Sequence, residues 1–189
     1  DPTFFPMPLL SPRGILFVAD EGDRADHQML LNEATGLVSI SIEDAVAMVP
    51  LLRPERIVAA AYERDASDID VNALHQGWIR KARRAGATLL TDTGFVSARR
   101  VGNRWRVVTT NGEIEAEIIV NAAGAWADRV AGSCGVAPVG LVPKRRSMTV
   151  IPCPPLYACA HWPLVANSGD NWYFKPDAGR LIVSPADED

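Results

Sequence analysis

Two short segments carry side chains that can bind a small anion. Arg145 and Arg146 are adjacent, and a guanidinium presents paired donors that match the geometry of a carboxylate. Further along, Trp172–Lys175 reads as a strand whose alternation places Tyr173 and Lys175 on one face. This face is polar at its tips and can line a pocket. Solvated arginines and a half-exposed strand explain the same residues without any function.

Other reactive side chains lack the spacing of a metal site or of an activated nucleophile. Cys153, Cys159 and His161 include no Cys-x-x-Cys pair, and no fourth ligand is evident in their proline-rich region. A cysteine nucleophile is equally unsupported, whichever histidine is its base: His27, His75 or His161. Asp68 and Asp70 are better explained by an acidic loop and a helix cap. We therefore predict no metal site.

Composition excludes several classes of partner. The 189 residues are 48% hydrophobic and 22% charged, as in an ordinary globular protein. A net charge of −4 provides no basic surface for nucleic acid, and no apolar run approaches the length of a membrane span. Three cysteines argue against a disulfide scaffold and fit a reducing compartment, so we expect a cytoplasmic protein without a signal peptide.

The elements that must position these residues are organised around Asn103–Trp126. Arg104–Thr110 reads as a strand, Asn111-Gly112 as a two-residue turn and Glu113–Glu117 as the return strand of a hairpin. An apolar β-branched run then predicts a buried strand over 117–121. Three small residues and a helix over 125–134 follow it. Small residues at the end of a buried strand allow close approach of a flat ligand.

This stretch carries a resemblance to a known family. Asn121–Asp128 reads Asn-Ala-Ala-Gly-Ala-Trp-Ala-Asp and resembles the D-amino-acid oxidase and glycine oxidase family of flavin enzymes. The resemblance implies FAD as the cofactor, bound beside the end of that strand. The cofactor-side residues that it implies are Ala122, Ala123, Gly124 and Trp126, with Phe95 beside the adenine. Core packing explains Phe95 and Trp126 equally well.

Both segments named first also resemble this family. Pro143–Met148 is similar to its Pro-x-Arg-Gly-Gln segment near the isoalloxazine, with Ser147 and Met148 in place of Gly and Gln. The resemblance implies a flavin contact for Arg145 and a substrate contact for Arg146. Trp172–Pro176 resembles the family's aromatic-Tyr-x-x-Pro strand, from which Tyr173 would point at the substrate.

The chain lacks the Gly-x-Gly-x-x-Gly turn that binds a dinucleotide diphosphate, so we expect a fragment of a longer enzyme. The expected fold is α/β with α+β character: a mixed and antiparallel substrate-domain sheet plus part of a FAD-binding domain of the glutathione-reductase-like type. Residues 1–85 and 137–189 are assigned to the substrate domain and residues 86–136 to the FAD domain. The helix over 71–85 is expected to return the chain to the FAD domain.

Local patterns predict further elements outside the central stretch. Residues 1–13 are expected to be irregular because they are rich in proline, and Ser41 is expected to cap a helix. The remaining predicted elements are strands at Gly14–Ala19, Ile57–Tyr62, Ala87–Leu90, Ser147–Ile151, Leu164–Ala166 and Arg180–Val183, and a helix at Arg24–Glu33.

The resemblance implies oxidation of an amine, a D-amino acid or a related 2-substituted acid by hydride transfer to FAD, with a small amino or hydroxy acid as substrate. We expect the fragment alone to be inactive. The alternative is a non-catalytic α+β module that binds a ligand or partner through its central sheet.

Overall fold

A computed structural model of the protein describes residues 8–187, so part of the predicted lead-in over 1–13 lies outside it. The chain forms two compact units. One combines the chain up to Lys81 with the chain from Arg145 onward, and the other comprises Ala82–Lys144. Helices and mixed sheets occur together, which confirms the α/β class with α+β character.

The elements follow the sequence pattern closely in most places. Four α-helices lie at Arg24–Glu33 (α1), Ile42–Met48 (α2), Val71–Arg84 (α3) and Ala127–Ser133 (α4) within the described residues. Twelve strands accompany them in that range: Leu10–Pro12 (β1), Ile15–Ala19 (β2), Leu37–Ile40 (β3), Ala59–Glu63 (β4), Ser67–Ile69 (β5), Phe95–Val101 (β6), Arg104–Thr109 (β7), Gly112–Ala116 (β8), Thr149–Pro152 (β9), Leu164–Asn167 (β10), Tyr173–Asp177 (β11) and Arg180–Ser184 (β12). No helix in this part of the chain has the length and apolar character needed to cross a membrane.

The first unit is built on a seven-stranded mixed sheet in the order β3-β4-β2-β10-β11-β12-β9. Strands β2 and β10 are parallel, and every other neighbouring pair in this sheet is antiparallel. One face is apolar because Leu16, Val18 and Val165 alternate with residues that point to the other face. Ala45 and Val49 of the α2 segment are fully buried against these residues. The core of the first unit therefore lies between α2 and this face.

Helix α2 begins where the sequence predicts. The Ser41 hydroxyl accepts a hydrogen bond from the Asp44 backbone N–H at 3.0 Å and donates to the Asp44 carboxylate at 2.6 Å. These bonds satisfy a helix donor that would otherwise have no partner. The cap thus fixes the start of the helix whose far end buries Val49.

A two-stranded ribbon of β1 and β5 contacts the sheet through the Asp68 carboxylate, in a segment for which the sequence predicts an acidic loop. Asp68 on β5 accepts from Arg13 Nε at 2.7 Å and from Lys175 Nζ of β11 at 2.8 Å. Partial burial alone would raise the pKa of Asp68, but the adjacent ammonium and guanidinium lower it below its ordinary value. We call Arg13, Asp68 and Lys175 the ribbon clasp.

The second unit contains a three-stranded antiparallel sheet in the order β6-β7-β8. Its predicted hairpin is present, but the turn is displaced by one residue. Thr109 pairs with Gly112, so Thr110 and Asn111 are the two turn residues. Gly112 has φ +125°, whereas Asn111 is not among the residues with positive φ. The Asn111 side-chain amide donates to the Asp92 carbonyl at 3.0 Å, outside the hairpin.

Two strands predicted for this unit do not form. Residues 117–121 and Ala87–Leu90 lack strand structure, and Ile118 and Val120 are 78% and 83% exposed. A strand needs a hydrogen-bonded neighbour, and none pairs with either segment within residues 8–187. The apolar, β-branched sequence of residues 117–121 predicts a buried strand, but a strand forms only where a neighbouring strand is available for pairing. Gly124–Trp126 forms a 3₁₀ turn ahead of α4, close to the predicted start of that helix.

A disulfide joins Cys153 and Cys159, whose Cα atoms are 6.3 Å apart, while Cys134 is a free thiol. The odd number of cysteines argues against a disulfide scaffold, as stated above. An odd count still permits a bond between two of the three. The bond closes a proline-rich loop and removes the cysteine argument for a reducing compartment.

The turn geometry gives a stability prediction. Gly112→Val places a β-branched side chain at φ +125°, a conformation that such a residue rarely adopts, so we expect a loss of at least about 1 kcal/mol of unfolding free energy. Urea denaturation measures it. Gly132→Ala in α4 is the matched control, because that position has ordinary φ and open space, and no loss is expected. An unchanged midpoint for Gly112→Val would contradict the assigned turn.

The ribbon clasp gives a pH-dependent prediction. Asp68→Asn leaves two partly buried cations without their carboxylate and should cost about 1 to 3 kcal/mol at pH 7. Because the folded pKa of Asp68 is lowered, its contribution is fully present above about pH 4 and is lost as the pH falls through the folded value. Unfolding curves of variant and wild type should therefore converge in acid. Glu113→Gln, which removes an exposed pair with Arg106, should change stability by less than about 1 kcal/mol.

Candidate functional site

Tyr173 is the first residue of β11, so it lies at the end of the seven-stranded sheet where that strand begins. Its Cα pairs with Ala166 on one side and with Ser184 on the other. Trp172 and Phe174 stack on each other, with ring centroids 6.1 Å apart and planes 9° apart, and both pack against the core. Alternation then directs the half-buried Tyr173 to the opposite face, together with Lys175.

The arginine segment is anchored beside this strand end. The Ser147 N–H and hydroxyl both donate to the Asp187 carboxylate at 2.6 Å. The buried Ser184 hydroxyl donates to the Ser147 carbonyl at 2.7 Å. Since Ser184 also pairs with Tyr173, these bonds hold the arginine segment at the end of the sheet that carries Tyr173. Sequence reasoning missed this anchor because Ser184 and Asp187 lie about 40 residues from Ser147 and match no motif.

Both arginines have acidic neighbours. The Arg146 guanidinium lies 4.0 Å from the Asp170 carboxylate, and the Arg146 side chain is 39% exposed. Arg145 is exposed. The two hydrogen bonds from Ser147 lower the pKa of Asp187, and the positive charge of Arg145 adds a smaller effect in the same direction. A long, partly solvated ion pair of this kind is weak, so a bound carboxylate can compete with Asp170 for Arg146.

A buried polar network fixes the loop that carries Asp170. Asn167 donates to the Asp23 carboxylate at 2.6 Å and accepts from the Asn171 amide at 3.1 Å. At Gly169, a Cβ atom would overlap the Asp23 carboxylate, so a side chain at this position would have to displace a member of the network. These hydrogen bonds hold the buried side of the loop in place. The sequence indicates a turn here, but not its pairing with a residue about 144 positions earlier.

A buried histidine extends this network. The His27 ring nitrogen Nδ1 lies 2.8 Å from the Ser168 hydroxyl, and burial lowers the pKa of His27. Loss of solvation disfavours the charged imidazolium, so His27 is neutral near pH 7. His27 thus acts as a structural partner of the loop that precedes Tyr173.

Apart from Arg145, the predicted cofactor-side residues lie in the second unit, where two of them line one cleft. Phe95 and Trp126 line a cleft of about 250 Å³, whose other lining residues are Val96, Arg129, Val130 and Ser133. Trp126 is 62% exposed, so within residues 8–187 it lies at the surface. Phe95 is half-buried, so it serves packing and the cleft at once.

The small residues beside this cleft are accessible. Ala122 and Gly124 are exposed and Ala123 is half-buried. Gly124 has φ +56°, and no heavy atom lies within 4 Å of where its Cβ would be. Open space at Gly124 and an aromatic cleft fit the border of a flat cofactor, although a diphosphate-binding glycine turn is absent from the sequence.

The described residues contain no group of three or more His, Cys, Asp or Glu side chains that could hold a metal ion. Cys153 and Cys159 are bonded to each other. Neither sulfur atom is therefore available as a metal ligand or as a nucleophile.

Comparison with known proteins identifies the family of the chain. A family model described as FAD dependent oxidoreductase matches residues 6–189. Mitochondrial dimethylglycine dehydrogenase of Homo sapiens is 34% identical over 104 residues, which are 54% of this chain and 12% of that protein. The chain thus spans only a small part of this relative's length.

Two solved structures share the fold. L-proline dehydrogenase from P. horikoshii has a TM-score of 0.74 at 22% identity, over 95% of this chain and 50% of that one. Glycine oxidase from Geobacillus kaustophilus has a TM-score of 0.72 at 22% identity, over 93% of this chain and 47% of that one. The resemblance carried by Asn121–Asp128 is confirmed, and the chain belongs to the D-amino-acid oxidase family of FAD-dependent oxidoreductases.

Proposed function

We propose that this chain supplies the substrate face, and part of the cofactor face, of a flavoenzyme that oxidises a small amine or amino acid. The observation that carries the proposal is the anchoring of the Arg145–Arg146 segment at the sheet end that bears Tyr173, in a chain of this family. When bound, FAD supplies the hydride acceptor. The protein supplies binding, orientation and electrostatics.

The substrate side of the proposal assigns one role to each residue. Arg146 binds the substrate carboxylate through its guanidinium and exchanges the distant Asp170 for the ligand. Tyr173 donates its hydroxyl to the same carboxylate and so orients the carbon that loses hydride. The Ser184–Ser147–Asp187 anchor holds Arg146 in position without contacting the substrate.

The names of the relatives support a carboxylate-bearing amine as the substrate class. Those proteins are named for dimethylglycine, L-proline and glycine, and each of these molecules has an amine beside a carboxylate. A guanidinium and a tyrosine hydroxyl suit the carboxylate that these molecules share. A hydroxy acid would present the same carboxylate to the same two residues.

The cofactor side is assigned to the second unit. Phe95 is proposed to border the adenine, while Trp126 and the small residues Ala122, Ala123 and Gly124 approach the cofactor closely. Arg145, which belongs to the first unit, is proposed as a further flavin contact. In this assignment residues 86–136 belong to the FAD domain, and residues 1–85 and 137–189 to the substrate domain.

Flavin retention tests the cofactor assignment. Without a glycine turn at a helix N-terminus to bind the diphosphate, the purified 189-residue chain should be colourless and should bind added FAD weakly or not at all. Absorbance spectra after gel filtration with FAD provide the measurement. A yellow preparation with one flavin per chain would show that this chain binds the diphosphate by another route.

Tyr173→Phe tests the substrate assignment in the complete enzyme. Loss of one hydroxyl should weaken binding of a carboxylate substrate by about 0.5 to 1.5 kcal/mol, a rise in KM of about two- to tenfold, with stability unchanged. Trp172→Ala, one residue away on the opposite face, should lower the unfolding free energy by about 2 to 3 kcal/mol because the indole packs against the core. If Tyr173→Phe leaves turnover and KM unaltered, the substrate role of Tyr173 is wrong. The alternative of a non-catalytic α+β binding module is then favoured.

A further inference from the structure

A second cavity opens in the first unit on the sheet face opposite Tyr173. Its volume is about 370 Å³, within the range of small-molecule sites. Trp172 and Phe174 line it, and alternation along the strand directs Tyr173 away from it. This cavity is therefore separate from the proposed substrate site, and nothing in the proposed oxidation uses it.

The interior of the cavity is apolar and flat on one side. Val18, Leu52 and Ile57 line it, and Ile57 is only 8% exposed. The stacked Trp172 and Phe174 rings add an aromatic surface, which favours a planar partner. An aliphatic floor beside an aromatic wall is suited to one fused or substituted ring.

The cavity lies at the carboxyl ends of the two parallel strands. Asp20 follows the last residue of β2, and Asn167 ends β10, and both line the cavity. The carboxyl ends of parallel strands are a recurrent place for ligands in α/β sheets. The Asp20 carboxylate accepts from the Gly22 N–H at 2.8 Å and the Asn167 amide donates to Asp23, so both side chains are already engaged.

The remaining polar groups that line the cavity are cationic. Arg53 precedes the 3₁₀ turn Pro54–Arg56 and Arg56 is its last residue, and both arginines are exposed. Neither guanidinium forms an ion pair with an acidic side chain of residues 8–187. Two arginines without counterions beside an apolar pocket select an anion that carries an apolar body.

We propose that this cavity binds a small aromatic carboxylate, with its ring against Trp172 and Phe174 and its carboxylate between Arg53 and Arg56. An inorganic anion would leave the aromatic wall unused, and a neutral aromatic compound would leave both guanidinium groups solvated. The ligand class follows from the combination of the two features. The inference is independent of the proposed oxidase function, because it uses the other face of the sheet.

Isothermal titration calorimetry of the 189-residue chain with 2-naphthoate tests this inference. We expect saturable one-site binding with a dissociation constant of about 1 mM or tighter. Arg53→Gln combined with Arg56→Gln should weaken binding about tenfold or more, since both charge-assisted contacts are lost. The neutral isostere 2-naphthamide should bind the wild type more weakly by a similar factor.

Two controls separate the site from general charge attraction and from the substrate face. Arg64→Gln combined with Arg83→Gln makes the same change in net charge at two residues that do not line the cavity and should leave the affinity within about twofold. Tyr173→Phe should also leave it unchanged. On binding, the indole N–H resonance of Trp172, identified by its absence in Trp172→Phe, should shift. Absence of saturable binding up to about 10 mM, or equal weakening in the two double variants, would overturn the proposal.

Discussion

The first unit depends on the parallel pairing of β2 with β10, two strands that lie about 150 positions apart along the chain. The pairing joins the β3-β4-β2 half of the sheet to the β10-β11-β12-β9 half. It also brings Asp23, just beyond β2, within 2.6 Å of Asn167 at the end of β10. The loop that leads to Tyr173 is positioned from this one seam.

Around the seam, the two faces of the sheet carry different chemistry. Alternation gives one face the Trp172–Phe174 stack and the core, and the other face Tyr173 and the ribbon clasp. The clasp places two cations and one carboxylate in a partly buried setting, where each cation needs Asp68. The segment Trp172–Lys175 therefore presents an apolar surface on one face of the sheet and a polar surface on the other.

Most local elements were predictable because their signals are local. The Ser41 cap, α1 and the strands that follow Leu164 rest on neighbouring residues, and the structure has them nearly as predicted. Several of the failures share one cause. Three features depend on partners about 40 to 150 positions away along the chain: the ribbon of β1 and β5, the Ser184–Ser147–Asp187 anchor and the Asp23–Asn167 bond. Residues 117–121 have the sequence of a strand but no pairing partner within residues 8–187. The site residues were named from family resemblance, because spacing alone left Arg146 and Tyr173 open to simpler explanations.

The contrast between the two units has a consequence for biosynthesis. The three-stranded sheet of the second unit pairs only neighbouring strands, so it can form as soon as residue 116 has left the ribosome. Strand β2 was made about 100 residues earlier, yet its parallel neighbour β10 emerges some 50 residues later. During that interval the β2 edge exposes unpaired backbone groups, which is the state most open to pairing with a neighbouring nascent chain. The order of synthesis thus makes the first unit, and with it the Tyr173 face, the last part of this chain to mature.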